Sequence, residues 1–325
     1  MRMERRILVT GGAGFLGSHL AEKLLEAGNK VICVDNFFSG SPRNIEHLLD
    51  HENFEFHRHD ICRPLNLSVD EIYNFASIGS SIPPKETART ISSETTETSV
   101  YGVVNVLELA RQCDCKIFQA SGCEIYDDAV LEPPEVGPVS RHSQLRYLAS
   151  YGAGRRFAET LVFDLSREYG LDFKIGRIFN AYGPRMPLGE AGSVGEFVVR
   201  ALRGEDLVIA GDGSQMQALI YVDDVVKSCI RLMDRPRAFS GPVDIGAAEE
   251  ISTMALAKGI KSLIGSVSKI VMSKALSEVP RHRPDLKAGR EILGSGPATP
   301  LETGLMRTVE YFDGLLKAGA LSLHH

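Results

Sequence analysis

From residue 6 to about 175, short runs of β-branched and apolar residues alternate with longer amphipathic stretches, the pattern of parallel strands joined by helices. Runs at 6–10, 30–35, 54–58, 70–75, 115–120 and 172–178 predict strands, and stretches near 15–28, 95–112 and 150–169 predict helices. Each strand–helix–strand unit is expected to cross over right-handed. The expected fold is therefore α/β: a doubly wound parallel (Rossmann) sheet with a smaller C-terminal substrate-binding domain. After about residue 176 the alternation weakens, and turns rich in Pro, Gly and Glu surround shorter predicted helices at 194–203, 222–234 and 304–317. Residues 1–175 are read as the dinucleotide-binding domain, completed by about 215–245, and 176–325 mostly as a substrate-binding lid. There is no internal repeat or heptad run, and the closing residues 321–325 are set aside as tail.

Composition narrows the class. An apolar fraction of 43% with 31 glycines suits a packed, turn-rich α/β protein and argues against disorder. The net charge of −6 gives no general attraction to phosphate backbones or acidic membranes, so a nucleotide ligand must be held by a local site. No nucleic-acid or membrane partner is expected. Six cysteines lie scattered without paired spacing, which fits reduced thiols and a cytoplasmic setting. No apolar run approaches the roughly 18 residues that span a bilayer. The nine histidines show no metal-ligand spacing, so no metal is expected.

The sharpest signal is Thr10-Gly11-Gly12-Ala13-Gly14-Phe15-Leu16-Gly17, which follows a predicted strand and opens a predicted helix. Gly12, Gly14 and Gly17 carry the dinucleotide-binding spacing: glycines let the backbone turn tightly and approach a pyrophosphate, whose charge sits on the first amides of the helix. Asp35 ends the second strand 18 residues after Gly17, where a carboxylate can accept both adenosine ribose hydroxyls and repels a 2′-phosphate. NAD is favoured over NADP. Asp60 and Ile61, just past the third strand, could bracket the adenine, with a plain turn role for Asp60 as the alternative.

Gly11, Gly14 and Gly17 also match the Gly-x-x-Gly-x-x-Gly form of the extended short-chain dehydrogenase/reductase family, which this chain resembles over nearly its whole length. The family comprises NAD-dependent nucleotide-sugar epimerases, dehydratases and decarboxylases. Segments 34–40, 51–55 and 177–186 look most like its UDP-glucuronate decarboxylase branch. The resemblance implies NAD contacts from Gly11, Gly12, Gly14, Phe15, Leu16, Gly17, Asp35, Asn36, Ser39, Gly40, Asp60, Ile61, Phe75, Ala76 and Ser77, joined by Tyr151 and Arg155. It also implies a homodimer built through the helices at 95–112 and 150–169, whose Val103, Val104, Val106, Leu107, Phe157 and Leu161 give apolar faces.

The family's Tyr-x-x-x-Lys pair, in which a tyrosinate takes a sugar hydroxyl proton as hydride leaves, reads Tyr151-Gly152-Ala153-Gly154-Arg155 here. Positions i and i+4 share a helical face, so Arg155 can favour ionised Tyr151 electrostatically, but arginine is planar and not a proton donor. The family's Ser-Thr-x-Glu-x-Tyr reads Ser121-Gly122-Cys123-Glu124-Ile125-Tyr126, so Gly122 stands where a hydroxyl is expected and Ser121 or a water is its candidate substitute. Glu124 is expected to exchange a proton at sugar C5, with Cys123 near C6. Two more departures are Ser99 for a family asparagine and Gln217 for an arginine. Asn180, Arg185, Glu196, Gln217, Arg281 and Arg283 are the candidate contacts to a nucleoside-diphosphate sugar, a UDP-sugar first. The expected activity is decarboxylase-like, through a transient 4-keto sugar. A dehydratase or 4-epimerase using the Cys-Glu pair is the alternative, and a non-catalytic sensor of NAD or sugar nucleotide is the alternative of another class.

Overall fold

The computed structural model describes residues 4–78, 88–126, 139–188, 193–239, 241–273, 285–287, 289, 294 and 298–321, with backbone alone for 88–92 and 139–150. Seven parallel strands form the central sheet: β1 (Arg6–Thr10), β2 (Lys30–Asp35), β3 (Phe54–Arg58), β4 (Glu71–Asn74), β5 (Lys116–Gly122), β6 (Phe173–Ile178) and β11 (Pro242–Ile245). Their order is β11-β6-β5-β4-β1-β2-β3. The order reverses between β1 and β4, and the crevice beyond the carboxyl ends of strands at such a switch point is where open α/β sheets hold ligands.

Side chains alternate across the sheet, and each face has its own helices. Ile7 and Val9 of β1 pack with Leu20, Leu24, Val226 and Cys229 beneath α1 (Phe15–Glu26) and α6 (Val222–Met233). Leu8, between them, faces the other way onto Val106, Leu107, Ala158 and Val162, from α3 (Val103–Cys113) and α4 (Val139–Tyr169). This two-sided burial is why the strands read as apolar runs. Phe118 of β5 is fully buried and lies between Tyr73 and Phe75, ring centroids 5.7 and 5.5 Å away.

The stretch expected as one helix over 95–112 is instead three segments: α2 (Ala88–Glu97), a five-residue π turn (Thr98–Gly102) and α3. The helix expected from residue 150 starts eleven residues earlier, at Val139. Beyond β6 lie the short strands β7 (Ala181–Tyr182), β8 (Leu207–Ala210), β9 (Met216–Ala218) and β10 (Ile220–Tyr221) before β11, then β12 (Glu250–Ser252) and β13 (Ile270–Ser273) after it. The two-stranded pairings are β7 with β10, β9 with β12 and β8 with β13. With them come α5 (Val194–Arg203), α7 (Thr253–Ile264) and α8 (Leu301–Lys317). Helix α7, which sequence reasoning did not mark, begins at a Ser252 cap that accepts from the Ala255 amide and ends at left-handed Gly265. The sheet thus draws its last strand from 242–245, after α5 and α6 have left it.

Candidate active site

The glycine-rich turn shows why it must be glycine. Gly11 has a φ of +65°, and a Cβ there would stand 2.7 Å from the Ala76 amide in the loop after β4. A Cβ on Gly17 would collide with the Gly11 carbonyl. Helix α1 follows with no side-chain cap and no acidic residue in its first turn. Gly14 N–H bonds the Gly11 carbonyl, so the Phe15, Leu16 and Gly17 amides are left by helix geometry without an intrahelical acceptor. They form a local anion site facing the switch-point crevice.

Asp35, at the end of β2, is buried and accepts from the Ala13 amide at 3.0 Å and the Phe37 amide at 2.8 Å. Burial pushes its carboxyl up, and the two amides pull only part of the way back. One lone pair per oxygen remains for ribose hydroxyls. Gly40 lies against this carboxylate: a Cβ there would stand 2.8 Å from Oδ1. Asp60 accepts from the Cys62 amide at 2.8 Å and from Asn36 at 3.2 Å. Ile61 is buried, its carbonyl held by Asn105 at 2.8 Å. Ser39 is exposed.

A buried polar row crosses the strand ends from this site to the reaction centre. Thr10 donates to Asn74 (2.5 Å), Asn74 to Gln119 (2.8 Å), and Gln119 to the Ala120 carbonyl (2.9 Å). Arg155 donates through Nη1 to that same carbonyl (2.5 Å) and through Nη2 to the Tyr151 hydroxyl (2.7 Å). The Arg155 guanidinium also lies 5.0 Å from the Tyr151 ring centroid. Burial pushes the Tyr151 phenol up, Arg155 pulls it down, Glu124 pushes it up again, and the Ser77 hydroxyl adds a small pull downward. The net direction is upward, so the resting phenol keeps its proton. Arg155 Nε is buried without an acceptor among the described residues, a deficit of about 1–3 kcal/mol that an oxygen on a ligand would relieve. That orphan donor, the open α1 amides and Asp35 together fit a dinucleotide running from the β2 end to Tyr151.

Several expected residues sit elsewhere. The Ser121 hydroxyl, the candidate substitute at Gly122, donates to Glu159 at 2.6 Å, and Glu159 is held by Arg177 at 3.0 and 2.7 Å. Ser121 therefore belongs to a buried network under β5 and β6. Arg177 also donates to the Tyr126 hydroxyl (2.6 Å), which donates to Asp244 of β11 (2.8 Å), and Asp244 accepts the Asp285 amide (2.7 Å). Sequence reasoning missed Glu159, Arg177 and Asp244. Glu159 was findable, because it lies one helical turn beyond Arg155 on the Tyr151 face. Arg185 has a φ of +65° and is tied to α1 through Glu22 at 2.8 Å rather than turned to a sugar. Glu196 pairs with Arg200 at 2.9 Å. Asn180 is an exposed residue with a φ of +25°, its carbonyl accepting the Ile220 amide. Gln217 on β9 is buried, and its Nε2 has no acceptor among the described residues, which suits a contact to a ligand. Cys123 and Glu124 lie on the short helical turn that ends β5. Arg281 and Arg283 lie outside the described residues. Among the described residues no cluster of His, Cys, Asp and Glu could hold a metal, and no helix is long and apolar enough to cross a membrane.

A doubly wound sheet, an open glycine turn at its switch point and a buried tyrosine–cation pair beside that turn define a dinucleotide-dependent enzyme fold. The family model described as the NAD-dependent epimerase/dehydratase family matches residues 7–246, ending one residue after the last strand of the sheet. The chain is 40% identical over 314 residues to UDP-glucuronic acid decarboxylase 1 of Xenopus tropicalis, covering 95% of this chain and 72% of that one. It is 38% identical over 309 residues to UDP-glucuronic acid decarboxylase 6 of Arabidopsis thaliana, covering 94% and 88%. Among solved structures, the UDP-glucose 4-epimerase of Thermotoga maritima with UDP-glucose superimposes with a TM-score of 0.78 at 31% identity, covering 96% of this chain and 99% of that one. This chain belongs to the NAD-dependent epimerase/dehydratase family, and it is an NAD-dependent nucleotide-sugar-modifying enzyme.

Proposed function

We propose that the protein decarboxylates UDP-glucuronate through a 4-keto sugar, working as a homodimer. The observation that carries the reaction is the buried Tyr151–Arg155 pair at the end of the polar row leading from the glycine turn, in a chain whose curated relatives are decarboxylases of that substrate. NAD, when bound, supplies the hydride acceptor and returns the hydride at the end of the cycle.

As the phenolate, held by Arg155, Tyr151 takes the proton of the sugar C4 hydroxyl as that carbon is oxidised and becomes the neutral phenol. The C4 ketone makes the C6 carboxylate a β-keto acid. Its C5–C6 bond breaks, carbon dioxide leaves, and the electron pair passes into the C5–C4–O enolate. A proton then returns to C5, the ketone is reduced, and Tyr151 gives its proton back to O4. The buried, unsatisfied Gln217 amide and the α1 amides are neutral donors suited to phosphate or sugar oxygens.

The test is mass spectrometry of products from purified protein, NAD and UDP-glucuronate. A UDP-pentose with release of carbon dioxide, lost in Tyr151→Phe, is the expected result. A product of unchanged mass would assign 4-epimerisation instead, loss of water would assign dehydration, and binding without turnover would assign a sensor.

A further inference from the structure

Helix α8 runs into a turn that two distant arginines hold. After Lys317 the chain passes Ala318, and Gly319 turns left-handed with a φ of +63°. The Gly319 and Ala320 amides reach back to the Leu316 and Leu315 carbonyls at 3.0 and 2.9 Å, which closes the helix and swings the chain off its axis. Arg43 donates to the Ala320 carbonyl at 2.8 Å, and Arg203, the last residue of α5, donates to the Leu321 carbonyl at 3.0 Å. Leu315 and Leu321 pack against the core cluster that holds Phe197 and Ala201 of α5, so the turn has a firm seat. Arg43 is its link to the dinucleotide site. It lies in the short turn Pro42–Asn44, which is fastened at both ends to the glycine turn: the Ser41 amide and the Asn44 side-chain amide donate to the Ala13 carbonyl at 3.0 and 2.9 Å. The Ala13 amide donates in turn to Asp35 at 3.0 Å.

We propose that Arg43 is a positioning residue for the adenosine half of NAD, and that it acts through the turn after α8, which braces segment 36–44 from outside. Segment 36–44 follows Asp35 directly and is largely exposed, so ordering it only when NAD arrives would subtract from affinity. Pinned inward at Ala13 and outward at Ala320, it meets the ribose with Asp35 and the glycine turn already in place. Arg203 belongs to the same brace from the other side: among the described residues it bonds the turn and lies 3.8 Å from Glu205, and makes no bond to segment 36–44. Neither arginine needs to touch the dinucleotide. The inference rests on the NAD site alone and holds whatever reaction the sugar undergoes.

The experiment titrates nucleotide-stripped protein with NAD and with ADP-ribose, which lacks the nicotinamide, by calorimetry. UDP is titrated into the NAD-saturated protein, and thermal melting is measured alongside. Arg43→Ala is expected to weaken NAD and ADP-ribose alike by about three- to tenfold, the size of one hydrogen bond from a charged donor at an exposed site. Arg43→Lys should recover most of that loss, because an ammonium can still reach a single carbonyl. Arg203→Ala should weaken both ligands in the same direction, as should Gly319→Val, which strains the left-handed turn with a β-branched residue. Adding Arg43→Ala to Gly319→Val should bring no further loss, since both break one link. UDP affinity and melting temperature should change little throughout. Unchanged NAD affinity in Arg43→Ala overturns the proposal. A loss confined to Arg43→Ala, with Arg203→Ala and Gly319→Val unaffected, overturns it by making Arg43 a direct ligand contact. An equal loss of UDP affinity or a large fall in melting temperature overturns it as general loosening, and failure of the unsubstituted protein to bind NAD removes the dinucleotide site and the brace together.

Discussion

Tyr151 and Arg155 sit four residues apart on one helix, and their contact is the shortest argument for chemistry in the molecule: a buried phenol 2.7 Å from a guanidinium nitrogen. The base form of Tyr151 is the phenolate, so the rate should fall as pH drops through the phenol's pKa in the complex. Three groups set that pKa besides burial: Arg155 and Ser77 lower it, and Glu124 raises it. Arg155→Met keeps the volume and removes the charge, so Tyr151 should hold its proton more tightly and the ascending limb of the kcat–pH profile should move to higher pH. Arg155→Lys keeps a cation but cannot span both Tyr151 and the Ala120 carbonyl, so its limb should move less. A limb that stays in place in Arg155→Met would mean that Tyr151 is not the titrating base. At this scale the sequence was readable where spacing alone defines a contact. Asp35 follows from the strand it ends, and the Tyr151–Arg155 pair follows from helix periodicity. Ser121 was misread because its partner, Glu159, lies 38 positions away, and no local pattern shows which face of β5 a hydroxyl uses.

Glycines decide how closely the elements behind the site approach one another. A Cβ on Gly154 of α4 would stand 2.6 Å from both Cβ and Oγ of Ser99 in the π turn, and one on Gly102 at that turn's end would stand 2.5 Å from Ile61 Cδ1. The π turn, a rare helical form often found at functional sites, is thus held between α4 and the loop that follows β3. Gly154→Ala is therefore informative, because propensity and packing oppose each other. An alanine in a helix interior gains about 1 kcal/mol in propensity, whereas crowding a packed side chain costs about 1–3 kcal/mol. Ser99 is a side chain on an irregular turn with limited room to retreat, so the variant should melt at a lower temperature and lose turnover through displacement of Tyr151 and Arg155. A raised melting temperature with unchanged turnover would show that the π turn yields freely. Inner strands such as β1 and β2 were legible because burial on both faces leaves apolar runs, and the edge strand β3 was legible from its alternation Phe54-Glu55-Phe56. The π turn was not, since an i→i+5 register depends on what packs against it, and neither was the start of α4, whose first turns carry Ser140, Arg141, His142, Ser143 and Gln144.

Across the whole molecule, chain order and spatial order separate, and the site depends on that separation. Asp244 enters the sheet from far along the chain, yet its two carboxylate oxygens join the Tyr126 hydroxyl to the Asp285 amide, and Arg177 carries the link on to Glu159 in α4. No sequence window contains this network, whose Tyr126–Asp244 bond spans 118 positions. The same sheet sorts the apolar faces of the helices expected to pair two copies. Val103, Val106 and Leu107 are spent on the sheet core, whereas Val104 and Phe157 remain 42% and 40% exposed, joined by Tyr101 at 61% and Phe163 at 40%. These four side chains lie on the outward sides of α3, α4 and the adjoining π turn, which cover one face of the sheet. Large aromatic anchors of this kind dominate stable interfaces, which need about 800 Å² from each partner. The purified protein should accordingly show the mass of a dimer by light scattering at micromolar concentration. Val104→Glu combined with Phe157→Glu should yield a folded monomer, because two carboxylates buried without partners cost more than such an interface can absorb. A dimer that persists in the double variant would move the interface to another surface, and a monomeric unsubstituted protein would leave these aromatic side chains without that purpose.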